Sequence, residues 1–114
     1  MEQISALQLK EWLDRSQTQG QSETRSKPLL LDVREAWELD ICRLADVVPM
    51  PMSSVPARFG ELDRDTDTVV ICHHGARSFQ VAMFLEQQGF SHVFNLYGGV
   101  AAWAQQVDPS MPTY

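Results

Sequence analysis

What the chain lacks narrows its class before any motif is read. It holds only two cysteines, Cys42 and Cys72, among 114 residues. Two cannot build a disulfide framework, and without a C-x-x-C pair a zinc ribbon and a thioredoxin-type motif are excluded. No apolar run approaches the roughly 20 residues of a spanning helix. Positive charge is scarce: nine Lys and Arg stand against 15 Asp and Glu, for a net charge of -6 and a pI near 4.8. That balance argues against nucleic acid or an anionic membrane as the main partner. The opening Met1-Glu2-Gln3-Ile4-Ser5 lacks the basic start and apolar segment of a signal peptide. The expected location is therefore cytoplasmic and reducing, where a cysteine in an unusual setting is reactive rather than structural. No G-x-G-x-x-G is present, so Gly98-Gly99 is not a dinucleotide fingerprint and reads as close helix-to-sheet packing.

What is there is an ordinary globular composition, 44% hydrophobic and 21% charged. The length fits one domain, with a core over residues 1–105 and an extended tail over 106–114. Ser5 and Gln8 form a capping box for an opening helix, and Ile4 can staple onto Leu9. Leu7, Leu9, Trp12 and Leu13 supply its apolar pattern, and the polar stretch 17–28 reads as a loop or a frayed helix end. The run 29–33, Leu-Leu-Leu-Asp-Val, suits a strand buried on both faces. A short helix is expected over 35–39 and a short strand within 45–52. Ser53 or Ser54 is placed to cap a further short helix reaching Phe59, before an acidic turn at 63–67. Residues 68–72, Thr-Val-Val-Ile-Cys, form the clearest strand. A helix over 77–88 follows, with an apolar stripe of Phe79, Ala82, Met83, Phe84 and Leu85 and Gly89 at its end. A strand over 92–96, a turn and a helix over 100–107 complete the pattern. Trp12, Trp37 and Trp103 sit at helical positions and are expected in the core. Strands alternating with helices predict an α/β fold with a mostly parallel sheet covered on both faces.

The chemistry concentrates between the best strand and the best helix, in Cys72-His73-His74-Gly75-Ala76-Arg77-Ser78. In open α/β sheets the ligand crevice lies at the carboxyl ends of strands. A turn there that runs into a helix N-terminus aims backbone N–H groups at one point, which favours an anion. A cysteine at the rim is expected to be a stabilised thiolate, with a pKa of about 3.5–7.5 as in comparable settings. Gly75 permits a backbone turn that a side chain would obstruct, and Arg77 adds charge and a fork of donors suited to an oxyanion. A thiolate in such a cradle can attack the outer sulfur of an anionic donor such as thiosulfate and keep that sulfur as a persulfide.

With these residues in view, the chain resembles the rhodanese-like family. The resemblance runs from about Ile4 to Trp103. Its marks are Leu31-Asp32-Val33-Arg34-Glu35 with Glu38, then Cys72 through Ser78, then Gly89-Phe90 and Val93, and last Gly98-Gly99-Val100 with Ala102-Trp103. It implies a single domain with a five-stranded, mostly parallel sheet and helices on both sides. It also implies that Cys72 is the persulfide-bearing nucleophile within a six-residue loop, 72–77. The implied partners are thiosulfate or another sulfane-sulfur donor and a thiol, cyanide or protein acceptor. Asp32, Arg34 and Glu38 would form an ion-pair network that holds the fold. Phosphatase relatives place five residues between Cys and Arg, whereas four lie between Cys72 and Arg77, a smaller ring that suits a sulfane sulfur better than phosphate. One segment departs from the family pattern: Cys42-Arg43 stands where many relatives carry Gly-His, leaving Arg43 beside the site in place of the usual histidine.

Blander readings stand beside these. Cys72 taken alone could be a buried strand-end cysteine. His73 and His74 read equally as tuners of the pocket and as solvated loop residues, and as adjacent side chains that diverge they make poor metal ligands. No metal or cofactor is expected. Cys42 reads as a packing cysteine before it reads as a resolving thiol. A non-enzymatic interaction module is disfavoured because Cys72 is retained, and a phosphatase because of loop length. A sulfur relay to a protein acceptor would use the same residues as a small-molecule sulfurtransferase.

Overall fold

In the computed structural model, residues 1–16 and 26–114 are described. Most of the loop expected over 17–28, residues 17–25, lies outside them. Among the described residues, five strands and five α-helices alternate: β1 (Glu2–Ile4), α1 (Ala6–Ser16), β2 (Leu29–Asp32), α2 (Ala36–Ile41), β3 (Val48–Pro49), α3 (Val55–Arg58), β4 (Thr68–Ile71), α4 (Ala76–Gln87), β5 (Val93–Leu96) and α5 (Gly99–Gln106). The strands form one parallel sheet in the order β1-β5-β4-β2-β3. β4 lies at its centre, with Val70 opposite Leu31 of β2 and Asn95 of β5. The chain leaves β2 toward one edge and β4 toward the other. The crevice at their carboxyl ends is thus a topological switch point, the place where such sheets bind ligands.

Two apolar layers sandwich this sheet, and the strand period of two sorts side chains between them. Leu30, Val69, Ile71, Phe94 and Leu96 join Leu9 and Trp12 of α1 and Val100 and Trp103 of α5 on one face. Leu31, Val70, Cys72 and Val93 join Val55 of α3 and Val81, Ala82 and Leu85 of α4 on the other. The two cysteines fall in different layers, Cys42 with α1 and α5 and Cys72 with α4, and both are free. The opening helix is capped as its sequence predicts: Ser5 N–H donates to Gln8 Oε1 at 2.8 Å, and Gln8 N–H donates to Ser5 Oγ at 3.1 Å.

Several expectations are corrected. β1 carries no periodic signal in its residues, two exposed positions followed by one buried; pairing with β5 makes them a strand. Trp37 is 60% exposed rather than in the core, its ring set edge-on to Tyr114 at 5.8 Å. The buried face of α4 is Ser78, Val81, Ala82 and Leu85, while Phe79 and Met83 of the expected stripe are exposed. Neither Ser53 nor Ser54 caps α3 with its side chain; Ser54 Oγ instead donates to the Pro51 carbonyl at 2.7 Å. The tail after α5 is not simply extended. It turns at Asp108, whose carbonyl accepts from Met111 N–H at 3.0 Å, and it buries Met111 and packs Tyr114 on the α1–α5 layer.

A fully buried ion pair stands at the end of β2. Asp32 and Arg34 are both fully buried. Arg34 Nε donates to Asp32 Oδ1 at 2.9 Å and Nη2 to Oδ2 at 2.8 Å. Nη2 also reaches the Cys42 carbonyl at 2.8 Å, and Nη1 reaches the Tyr114 hydroxyl at 3.0 Å. Removing one partner of such a pair strands a buried charge. Arg34→Met is therefore expected to cost about 3–5 kcal/mol of stability. Asp32→Asn added to it should recover part of that loss. Urea denaturation of the two variants checks both values.

Candidate active site

Cys72 follows the last residue of β4, at the switch point, and is 1% exposed. The chain then makes a turn that ends at Gly75, whose φ of 104° is the left-handed conformation a side chain resists. That turn brings Gly75 N–H back onto the sulfur, donating to Cys72 Sγ at 3.0 Å. α4 starts at the next residue with no side-chain cap, which leaves its first N–H groups to solvent or to a bound anion.

A second ring of contacts supports the sulfur. Ser78 Oγ lies 3.2 Å from Cys72 Sγ and donates to Asn95 Oδ1 in a short hydrogen bond. Asn95 Nδ2 donates to the Gly75 carbonyl at 3.3 Å and to Gln3 Oε1 at 2.8 Å. A hydroxyl has one proton to give. While it goes to Asn95, Ser78 faces the sulfur as an acceptor for S–H; turned to the sulfur, it would join Gly75 N–H on a thiolate. Asn95 was missed in the sequence. Its signal was there, as a polar residue within the buried strand Val93-Phe94-Asn95-Leu96, 2% exposed.

The Gly98-Gly99 turn docks α5 onto the same loop. Val100 N–H donates to the Cys72 carbonyl at 2.9 Å and Ala101 N–H to the His73 carbonyl at 3.1 Å. Gly99 has φ +60°, and a Cβ there would sit 2.4 Å from both of those carbonyl oxygens. The turn is a site of close packing, but the surface packed against is the backbone of the thiol loop at Cys72 and His73 rather than the sheet.

Arg77 does not present a free fork. Its Nη1 and Nη2 donate to Glu38 Oε2 and Oε1 at 2.8 and 2.7 Å. This Arg77 hydrogen bonding holds the Glu38 carboxyl far below its usual range, down to about 2, against the opposing effect of burial, and it raises Arg77 in turn. The expected ion-pair network therefore splits in two: Asp32 pairs with Arg34, and Glu38 pairs with Arg77. The Tyr114 hydroxyl joins the halves, accepting from Arg34 and donating to Glu38 Oε1 at 2.8 Å. His73 is partly buried, its ring stacked on Tyr114 at 3.9 Å and 12° and tilted against His74 at 3.9 Å. Burial first, and then the neighbouring charge of His74, lower the His73 pKa. Ala76 and His74 are exposed. Arg43 is exposed too, on a surface depression with Leu44, Ala45, Asp46 and Val47, none of them a loop residue.

A buried cysteine at the end of the central strand, wrapped by a turn that opens into a helix, defines an α/β domain built around a thiol loop. The chain belongs to the rhodanese-like domain family, whose model matches residues 5–106. It is 42% identical over 77 residues to a sulfurtransferase of Allochromatium vinosum, an alignment that covers 68% of this chain and 72% of that protein. It is also 42% identical over 89 residues to a chloroplastic rhodanese-like/PpiC domain-containing protein of Arabidopsis thaliana, covering 75% of this chain and 30% of that longer protein. Among solved structures, a rhodanese-related protein from Thermoplasma volcanium superposes with a TM-score of 0.77 at 30% identity, over 94% of each chain.

Two expected outcomes follow from this geometry. Glu38 has a folded-state pKa below its unfolded value, so its contribution to stability is complete above pH about 4.5 and is lost as pH falls toward 2. A shift of this size corresponds to about 3 kcal/mol. Glu38→Gln should flatten the acid limb of a plot of urea midpoint against pH between those values. Gly99→Ala drives a methyl into two carbonyl oxygens, and such overpacking is expected to cost about 1–3 kcal/mol, also read by urea denaturation.

Proposed function

We propose that this protein is a sulfurtransferase that carries sulfane sulfur as a persulfide on Cys72. The observation that carries the reading is the Gly75 amide donating to Cys72 Sγ at 3.0 Å, at the mouth of an uncapped helix. Membership of a family whose named relatives include a sulfurtransferase supports sulfur transfer in general. Thiosulfate or another persulfide donor is the proposed substrate, and a thiol, cyanide or protein the acceptor.

In this reading the Cys72 thiolate attacks the outer sulfur of thiosulfate. A new S–S bond forms, the bond to the sulfonate sulfur breaks, and sulfite departs with the electron pair. The persulfide that remains is an anion, held by the loop amides and by the hydroxyl of Ser78. The acceptor then attacks the terminal sulfur, and the Cys72 thiolate leaves. Arg77 supplies charge at the end of the loop, with its orientation set by Glu38. His73, His74 and Ala76 shape the rim. Four residues between Cys72 and Arg77 make a tight ring, which favours sulfane sulfur over phosphate. Cys72 must be a free thiolate at the start of each cycle, so a cytoplasmic setting suits this chemistry; the placement of Cys42 and Cys72 in different layers of the sheet supports a single-cysteine mechanism.

Incubation with thiosulfate is expected to add one sulfur atom, about 32 Da, to Cys72 and not to Cys42. Intact mass and peptide mapping read this directly. Cys72→Ser should abolish turnover and leave the circular dichroism spectrum unchanged. Label on Cys42, or none at all, would sink the proposal.

A further inference from the structure

One contact set remains outside that mechanism. Tyr114 stands 42 positions after Cys72, yet its side chain meets the loop and both ion pairs at once. Its ring stacks face to face on His73, at 3.9 Å and 12°, while Trp37 closes its edge at 5.8 Å. Its hydroxyl accepts from Arg34 Nη1 at 3.0 Å and donates to Glu38 Oε1 at 2.8 Å. Glu38 Oε1 is the same oxygen that takes Arg77 Nη2 at 2.7 Å. The segment that delivers this side chain is itself anchored by buried Met111 and by the turn at Asp108.

We propose that Tyr114 is a positioning residue for the Cys72 loop, fixing His73 through its ring and the Glu38–Arg77 pair through its hydroxyl. The physical logic is one of constraint. His73 directly follows the reacting cysteine, and its ring has rotamers to choose from unless something occupies its face. A stacked tyrosine removes that freedom at low entropic cost to itself, having only two side-chain torsions. Glu38 has two carboxylate oxygens and could swing about its terminal torsion. The Tyr114 hydroxyl, held from behind by buried Arg34, fixes one of those oxygens and so fixes where the Arg77 guanidinium can lie. Arg77 closes the loop that begins at Cys72. Both ends of the six-residue ring are thereby referred to one side chain. Small displacements matter in such rings, since misplacement by about 1 Å can cost on the order of a hundredfold in rate.

The role in turnover rests on the sulfur-transfer reading, so the test has one arm that does not. In the first arm, proton NMR of the His73 ring compares wild type, Tyr114→Phe and Tyr114→Leu. Stacking places the His73 ring protons in the ring current of Tyr114. Wild type and Tyr114→Phe should show the same displaced signals, and Tyr114→Leu should return them toward free-histidine positions. In the second arm, kcat/KM for thiosulfate should fall on the order of ten- to a hundredfold in Tyr114→Leu. Tyr114→Phe, which keeps the stack and loses the hydroxyl, should fall between it and wild type. His73 signals that Tyr114→Leu leaves unmoved would overturn the proposal. So would a folded Tyr114→Leu whose kcat/KM stays within about twofold of wild type. A wild type that takes no sulfur from thiosulfate would overturn the functional reading instead, and the NMR arm would still decide whether Tyr114 holds the loop.

Discussion

Much of this domain hangs on one buried guanidinium. Arg34 sits where β2 ends, fully out of water, and spends its donors on Asp32, on the Cys42 carbonyl and on Tyr114. A buried ion pair repays its desolvation only when geometry is good and the remaining donors are met. Both conditions hold here: the contact to Asp32 is two-pronged, and no buried side-chain nitrogen or oxygen among the described residues is left without a partner. Desolvation alone would lower the Arg34 pKa, but the hydrogen bonds to Asp32 and Tyr114 outweigh it and raise it. In meeting its donors, this side chain ties together the end of a central strand, the segment after α2 and the C-terminal segment.

The thiol loop is a wedge between elements so fixed. From below, β4 delivers Cys72 to the switch point. From one side, α5 enters with its N-terminal amides bound to the loop carbonyls of Cys72 and His73, an approach only a glycine at position 99 allows. From the other, Asn95 on β5 holds both Ser78 and the Gly75 carbonyl. The loop therefore has little latitude, which is what a site built from backbone amides needs: those dipoles stabilise charge only if they are already aimed. Arg77 fits the same pattern. Its fork is committed to Glu38, and its contribution to the mouth of the site is a fixed position as well as a charge.

Much of this was legible in the residues. The alternation of buried strands with helices, the capping box at Ser5 and Gln8, and the run from Cys72 to Ser78 are local signals. They depend on spacing within one element, and an isolated sequence carries that in full. β1 was not legible from its residues, since three of them have no pattern until β5 lies beside them. Phe79 and Met83 lie exposed on α4, because helical spacing says which residues share a face but not which face the sheet covers. Trp37 stands outside the core for a related reason: a large apolar side chain on a six-residue helix need not point inward when an aromatic partner waits at the surface.

By itself, then, the sequence determined the α/β class, the strand–turn–helix that holds Cys72 and the residue types at the site, because each is set by short-range sterics, periodicity and charge. Only the tertiary structure decided the pairings. It turned Arg77 onto Glu38, 39 positions away, separated Cys42 from Cys72 across the sheet, set Asn95 behind Ser78 and brought Tyr114 onto His73. The reason is physical: donors, acceptors and ring faces are satisfied by whichever partner the packed chain brings within about 3–4 Å, and distance along the sequence does not specify that partner.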